Sequence, residues 1–305
     1  MDLKALKEKI KANRGSYNRR ETLWALFFLS PKIIGLIIFT FGPIIASFLL
    51  SFTNWDLVTK PEWIGLGNYK HLLSNPIFIK ALKNTAYYTL LNVPLSMVLS
   101  LLLAVAMNQK LKGIVVFRTA FFMPVISSMV AISLLWKYIY NSQYGLLNYF
   151  LGLAGIAPKN WLGDTRLAMP SLIMMSVWKG LGYNMMIWLA ALQGIPEDLY
   201  EAARIDGANK WQQFKNVTVP LLSPTTFLML ILGIINSFQV FEASYVMTNG
   251  GPANATLTIV LYLYSNAFEW LKMGYASAMA YILALIIFVL TIIQFKYQKK
   301  WVHYY

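Results

Sequence analysis

Long apolar runs recur along the chain, and shorter intervals rich in polar and aromatic residues separate them. A helix needs about 20 mainly apolar residues to cross the hydrocarbon core of a bilayer. A helix also satisfies its backbone polar groups internally, as lipid requires. The pattern therefore predicts an all-α polytopic membrane protein with six transmembrane helices. The predicted spans are residues 24–53, 82–107, 115–140, 168–193, 221–246 and 274–295.

Prolines inside the apolar runs predict distortions of several spans. Pro31 and Pro43 are expected to kink the first span, because proline removes a helix hydrogen bond and clashes with the preceding turn. Pro94 is expected to break the second span in its middle, whereas Pro124 lies near the start of a continuous third span. A short surface helix is expected at residues 146–153, between the third and fourth spans.

The composition agrees with a membrane protein and excludes several other classes. Of the 305 residues, 58% are hydrophobic and 12% are charged. That charged fraction is about half that of soluble domains. The chain has no cysteine and two histidines, which excludes disulfides and Cys/His zinc sites. It has no G-x-x-x-x-G-K-[ST] motif, and its 12 carboxylates form no convincing acid–base pair. We therefore expect no catalytic site, no metal and no bound cofactor.

The distribution of basic residues predicts the orientation in the membrane. The formal net charge is +14. Six spans place both termini on one side, which carries roughly 16 Lys and Arg against roughly 8 on the other. Since cytoplasmic loops carry the excess of basic residues, both termini are expected in the cytoplasm, including a basic tail over residues 1–22. This asymmetry explains the positive charge without a nucleic-acid partner.

The interval between the fourth and fifth spans, residues 195–220, has the sequence signs of two short helices on the cytoplasmic side. Pro196 suits a first helical turn, and two acidic residues follow it at the positive end of the helix dipole. Gly207 can adopt the left-handed conformation that closes a helix. A second helix is expected over residues 209–218, with Pro220 ending it.

Polar side chains within the predicted spans are candidates for a solute pathway, because amides and charges at membrane depth usually line a cavity or pair with a neighbour. They are Lys179, Tyr183 and Asn184 in the fourth span, and Asn236, Ser237, Gln239 and Glu242 in the fifth. Amides beside aromatic rings suit a sugar, whose hydroxyls form hydrogen bonds while its C–H faces stack. The alternative is hydrogen bonding between helices, with Lys179 paired to Glu242 or to a partner chain. The set as a whole favours a polar pathway, whereas each single residue leaves both alternatives open.

One motif resembles a known family. The EAA loop of the permease subunits of ABC importers is similar in type and spacing to Glu201, Ala202, Ala203, Gly207, Val217 and Pro220. The carbohydrate branch, which includes the maltose, lactose and glycerol-phosphate permeases, is also similar at Trp55-Asp56, Gly67-Asn68-Tyr69, Leu181-Gly182-Tyr183 and Thr248-Asn249-Gly250-Gly251-Pro252. The resemblance implies the type I importer permease fold with a cytoplasmic coupling helix. The residues it assigns to coupling with an ATPase are Glu201, Ala202, Ala203, Asp206, Gly207 and Pro220.

The resemblance also implies a substrate pathway. Aligning the family pocket on Pro124, Trp178 and Pro220 places it at Val125, Met129, Ser176, Lys179, Gly180, Gly233, Asn236 and Ser237. Tyr183 and Gln239 join this set because they lie beside the polar residues of the fourth and fifth spans. Several members are not polar, so the identity of the substrate is not implied.

The implied function is that of a permease subunit in the bacterial cytoplasmic membrane, forming half of the pathway for a sugar or oligosaccharide. Implied partners are a second permease, two ATPase subunits that hold ATP and Mg, and an extracytoplasmic solute-binding protein. The implied organisation is a tail (1–22), a first helix with its external loop (23–81), a five-helix core (82–299) and a cytoplasmic end (300–305). Two alternatives remain open: an ABC permease for a phosphodiester or acidic oligosaccharide, and an ion-coupled secondary transporter. An integral membrane enzyme is disfavoured because the chain lacks a catalytic cluster.

Overall fold

The structure, a computed structural model, describes residues 19–109 and 112–302 and is mostly helical there. Most of the predicted basic tail and the last three residues lie outside the described residues. The helices are α1 (Arg19–Leu36), α2 (Gly42–Leu50), α3 (Gly67–Ser74), α4 (Pro76–Met107), α5 (Ile114–Ile126), α6 (Met129–Ile139), α7 (Leu146–Leu153), α8 (Ala168–Gln193), α9 (Glu197–Ile205), α10 (Lys210–Gln213), α11 (Val219–Leu221), α12 (Ser223–Phe238), α13 (Glu242–Thr248), α14 (Ile259–Tyr264) and α15 (Met273–Gln298). Wider π-helical turns are Ile37–Phe41, Phe214–Thr218 and Ser265–Glu269. Strands β1 (Thr53–Asn54) and β2 (Glu62–Trp63) pair antiparallel.

Among the residues that the structure describes, three helices are long and apolar enough to cross a membrane: α4, α15 and the continuous helix Glu21–Leu50 that joins α1 to α2. Two bent pairs, α5 with α6 and the α10–α11 segment with α12, raise the number to five if each pair is one span. The remaining predicted span, the fourth, is α8, which has 26 residues and the predicted bounds, but its most apolar stretch is less hydrophobic than those of the three long helices. We call the side of the bilayer opposite the chain termini the outer side, following the predicted orientation.

The second span is not broken. Pro94 lies inside the 32-residue helix α4, which runs without interruption. Proline withholds one backbone donor, but such prolines are tolerated in membrane helices where neighbouring helices support the segment. Here α4 packs against both α8 and α12. The prediction of a break at this proline was therefore wrong.

The third span is broken, although a continuous helix was predicted. Helices α5 and α6 meet at an angle of 102°. Ser127 and Ser128 between them adopt ψ angles of 144° and 138°, which end the first helix. Pro124 cannot donate a backbone hydrogen bond in the last turn of α5, and the hydroxyl of Ser127 donates to the carbonyl of Met123 at 3.3 Å. The break follows the proline by three residues.

The fifth span also differs from its predicted bounds. Helix α12 ends at Phe238 and not near residue 246, because residues 239–241 leave the helix before α13 starts at Glu242. Pro220 was predicted to end the preceding helix, and this prediction was wrong. Just before it, a wide turn shifts the hydrogen-bond register, with the N–H of Val219 donating to the carbonyl of Phe214. The helix then continues through α11 and bends by 62° before α12.

The outer side carries a well-ordered connection between the third and fourth spans. The predicted short helix is confirmed as α7, with the bounds expected. Asn148 fixes it, because its amide nitrogen donates to the carbonyl of Lys159 at 2.9 Å while its oxygen accepts from the backbone of Lys159 and the indole of Trp161. Asn148 thereby fixes α7 to the residues that follow it in the chain.

Close packing of α5 against α8 depends on a glycine. A Cβ at Gly182 would lie 2.1 Å from the carbonyl oxygen of Phe121. At Gly180, one helical half-turn earlier, the nearest atom to such a Cβ would be Asn184 Nδ2 at 4.0 Å. Neighbouring positions of one helix therefore differ sharply in the space that they offer.

We expect Gly182→Ala to destabilise the protein by about 1–3 kcal/mol through overpacking against backbone. The matched Gly180→Ala should be neutral or slightly stabilising, since alanine favours the helix. Thermal unfolding of both purified variants in the same detergent measures the difference. Equal unfolding temperatures would contradict the close α5–α8 contact.

Candidate functional site

A cavity of about 510 Å³ lies between the spans. Its volume is within the range of ordinary ligand pockets. The structure places all ten residues of the predicted substrate pathway on its wall: Val125, Met129, Ser176, Lys179, Gly180, Tyr183, Gly233, Asn236, Ser237 and Gln239. They come from both sides of the α5–α6 break, from α8, and from α12 with the residue after it. We call this space the central cavity.

Helix α4 supplies a wall of the central cavity that the sequence analysis did not assign. Tyr88, Asn92 and Ser96 line it from this helix. The amide nitrogen of Asn92 donates to the hydroxyl of Ser237 at 3.1 Å, which ties the second span to the fifth. The signal was available in the sequence, because Asn92 is an amide inside an apolar run, the same sign that identified Asn236.

One buried polar atom beside this wall, Asn92 Oδ1, has no hydrogen-bond partner within the described chain. Leaving a buried polar group without a partner costs about 1–3 kcal/mol. Asn92 therefore has an unused hydrogen-bond acceptor next to the central cavity.

The charged side chains of the central cavity are not paired with each other. Lys179 and Glu242 both line it. Within residues 19–109 and 112–302, however, the one ion pair joins Arg204 to Glu201 at 3.6 Å. The alternative in which Lys179 forms a structural ion pair with Glu242 is therefore wrong for this structure. The remaining structural alternative for Lys179 is a carboxylate of a partner chain.

Aromatic rings near the central cavity complete its chemistry. Tyr88, Tyr183 and Phe241 line the wall. Phe241 at the start of α13 stacks on Tyr245 at 5.3 Å. Rings, amides and hydroxyls thus surround one space, an arrangement suited to a polar organic solute with apolar faces.

The loop over residues 195–220 forms the predicted helix–turn–helix. Helix α9 begins after Pro196, with Glu197 and Asp198 in its first turn. Gly207 has φ +78°, which confirms the left-handed closure, and the N–H of Ala208 donates to the carbonyl of Ala203 at 2.9 Å. This is the hydrogen-bond pattern that satisfies the last carbonyls of a helix.

The two helices of this loop are held together by side chains. Asn209 and Gln212 form a reciprocal capping box at the start of α10, with bonds of 2.9 and 2.8 Å. The hydroxyls of Tyr200 and Thr218 lie 2.9 Å apart and link α9 to the following π-helical turn. The surface ion pair of Arg204 adds little, because exposed pairs contribute about 0–1 kcal/mol. The loop is a structured unit.

Apolar side chains of the same loop are exposed. Ile205 is 86% exposed, Trp211 69% and Leu199 42%. Of the predicted coupling residues, Glu201, Ala202, Asp206 and Gly207 are also exposed, whereas Ala203 and Pro220 are half-buried. In the predicted topology this face lies on the cytoplasmic side. We call it the loop face.

The described residues provide no evident catalytic or metal chemistry. In the part of the chain that the structure describes, no three His, Asp or Glu side chains are grouped so that they could hold a metal ion. The central cavity contains one carboxylate, that of Glu242, on its wall. The arrangement can bind and release a solute, and it offers no acid–base pair for a reaction.

Comparison with known proteins places these features in context. The sequence profile described as binding-protein-dependent transport system inner membrane component matches residues 78–303. The probable ABC transporter permease protein YesP of Bacillus subtilis (strain 168) is 40% identical over 291 residues, covering 94% of each chain. The lactose transport system permease protein LacF of Rhizobium radiobacter is 36% identical and covers 93% of this chain and 96% of LacF.

A solved structure confirms the type I importer permease fold. It is the crystal structure of a bacterial ABC transporter involved in the import of the acidic polysaccharide alginate. The matching chain superposes with a TM-score of 0.82 at 25% identity, covering 92% of this chain and 96% of that chain. Nearly the whole architecture is therefore shared.

Water access to the central cavity can be measured directly, because the chain contains no cysteine. We expect Gly180→Cys and Asn236→Cys to react with a small, charged thiol reagent in membrane vesicles, because both positions line the cavity and a Cβ at Gly180 would lie 4.0 Å from the nearest atom. Met175→Cys should not react, since Met175 on the same helix is fully buried. Equal labelling of all three positions, or of none, would contradict an aqueous cavity at this place.

Proposed function

Since the chain belongs to the family of binding-protein-dependent transport system inner membrane components, we propose that it forms half of the translocation pathway of an ATP-driven importer for a sugar or oligosaccharide. The observation that carries this proposal is the central cavity, where polar side chains of three spans, the second, fourth and fifth, converge. A membrane protein tolerates such groups at depth where they line a solute path. LacF, which is named as a lactose permease, supports the carbohydrate class.

The chemistry of the central cavity fits a polyhydroxylated solute. The amide side chains of Asn184, Asn236 and Gln239 on the wall can both donate hydrogen bonds to hydroxyls and accept them. The wall carries one positive and one negative side chain, so it has no excess charge of either sign in this chain. These properties favour a sugar over a small inorganic ion.

A second permease subunit would complete the pathway. The helix Glu21–Leu50 is strongly apolar and has no buried residue in its most apolar stretch, so most of it lacks a partner in this chain. Its outer end alone is attached, through contacts of α2 with α15 such as the 3.3 Å approach of Ser47 Oγ to Tyr281 Oη. Lipid and a homologous permease are the surroundings that suit such a helix.

The loop face would bind cytoplasmic ATPase subunits, which hold ATP and Mg. This orientation follows from the basic-residue count, with both termini in the cytoplasm. Closure of the ATPases would move the loop, and the spans would alternate between inward-open and outward-open states. An extracytoplasmic binding protein would deliver the solute at the outer side, in keeping with the family description.

Gly207→Pro tests the coupling role. Proline fixes φ near −65°, whereas this position has φ +78°, so α9 cannot close and the loop face is lost. We expect ATP-dependent uptake to be abolished while the protein still inserts. A bulky charged replacement, Ala203→Glu, should have the same effect. The measurements are uptake and binding-protein-stimulated ATP hydrolysis in proteoliposomes.

The matched control is Gly155→Pro. Gly155 also has a positive φ, +74°, but lies in the outer connection after α7. The Gly155→Pro variant should retain coupled ATP hydrolysis. Normal uptake and coupling in Gly207→Pro and Ala203→Glu would overturn the proposed role of the loop. Uptake that collapses with an uncoupler but survives ATP depletion would overturn the importer class itself.

A further inference from the structure

A second cavity, of about 650 Å³, lies at the outer side. It is formed by the first outer loop, by the start of α4, and by the segment between α14 and α15. It shares no lining residue with the central cavity. Trp55 and Asn68, two residues of the motifs noted in the first outer loop, both line it. We call it the outer cavity.

The walls of the outer cavity are preformed. The amide nitrogen of Asn75 donates to the hydroxyls of Tyr262 and Tyr275 at 3.1 and 3.0 Å. A Cβ at Gly274 would lie 2.0 Å from the carbonyl oxygen of Thr53, so the start of α15 is pressed against the first outer loop. These contacts fix the two sides of the cavity relative to each other.

Two buried amides in the wall keep a free acceptor. The amide nitrogen of Asn68 donates to the carbonyls of Ser51 and Thr53, and that of Asn266 to the carbonyl of Tyr262. Asn68 is 7% exposed and Asn266 1%, yet within residues 19–109 and 112–302 neither amide oxygen accepts a hydrogen bond. Each oxygen can accept from a ligand hydroxyl.

Two indole rings share this cavity, those of Trp55 and Trp270. Tryptophan is common at membrane interfaces, where it contacts lipid head groups from a convex surface. These two instead face a concave space together with amides. Trp270 is 51% exposed and touches Tyr262 edge-on at 6.0 Å, so much of its surface is free for stacking.

The basic side chains that line the outer cavity are Lys272 and His71. The phenols of Tyr262 and Tyr275 also line it, and its lining contains no carboxylate. Lys272 makes no ion pair with any described residue. Asp56 is adjacent to Trp55 in the chain but does not line the cavity. Its pKa is held below the usual value by hydrogen bonds from the Thr59 side chain and from the Thr59 and Val58 backbone. The Asp56 carboxylate is therefore bound within its own loop.

From this geometry we infer that the outer cavity is a binding site for an acidic saccharide. Hydroxyl groups bond to the free oxygens of Asn68 and Asn266, a sugar face stacks on Trp270, and the carboxylate meets Lys272. A charge-assisted hydrogen bond is about twice as strong as a neutral one, so the acidic group adds selectivity. Binding in the outer cavity does not require that the same saccharide crosses the membrane through the central cavity.

The test uses the purified full-length chain in nanodiscs, with trigalacturonate as the acidic probe and maltotriose as the neutral one. We expect calorimetry at low ionic strength to give at least about tenfold tighter binding of trigalacturonate, consistent with one hydrogen bond to a charged group. Lys272→Gln should remove this preference. Trp270→Ala should weaken binding of both saccharides by a similar factor. Trp270→Phe should retain most of the affinity for both saccharides, because it keeps an aromatic ring.

Matched controls separate this site from others. Lys60→Gln and Trp63→Ala change an exposed lysine and an exposed tryptophan of the same outer loop that do not line the cavity, and they should bind as the unmodified chain does. Lys137→Gln changes an exposed lysine that lines neither cavity and should also leave binding unchanged. A preference for trigalacturonate that survives Lys272→Gln would overturn the proposal, as would an absence of saccharide binding. A co-purified anionic lipid, detected by native mass spectrometry and lost with Lys272→Gln, would overturn it in favour of a lipid site.

Discussion

Backbone groups cannot remain unpaired in the hydrocarbon of a bilayer, and this constraint governs where the chain departs from helix. Two spans are interrupted, one at Ser127–Ser128 and the other at residues 239–241. Both interruptions border the central cavity, which is lined on one side by Val125 and Met129 and on the other by Gln239. Irregular backbone thus occurs where protein and a polar space can satisfy it. The two helix interruptions therefore help to form the central cavity.

The same constraint links the loop face to the central cavity mechanically. The second helix of the loop passes through Pro220 without ending, bends by 62° and becomes α12. Gly233, Asn236 and Ser237 on α12 line the cavity. At the other end of the loop, α8 leads directly into α9 and lines the cavity through Lys179. A displacement of the loop therefore acts on two cavity walls through continuous or nearly continuous helix, and the Tyr200–Thr218 contact makes both ends move together.

Much of the fold could be predicted from the sequence, because helical spans and caps are local features. The bounds of α7 and α8 and the positive φ of Gly207 follow from apolar runs, polar flanks and a single glycine. Tertiary context decided the rest. Pro94 does not break α4, which is supported by α8 and α12, whereas the third span breaks three residues after Pro124. Two prolines of similar setting thus had opposite outcomes, and no local rule distinguishes them.

The central cavity is formed by residues from spans far apart in sequence, and the predicted pathway did not include α4. Asn92 carries the same sign as Asn236, an amide in an apolar run, but lies on a span that does not adjoin the loop. Helix α8 shows the physical basis of a better rule. It is long enough to cross the bilayer, but its most apolar stretch is less hydrophobic than that of α4 or α15, and that stretch contains Ser176, Lys179 and Asn184, which line the central cavity. A span that is too polar for lipid must be covered by protein or face an aqueous space. Weak hydropathy in one span of a polytopic chain is therefore evidence for the solute path and not against the span.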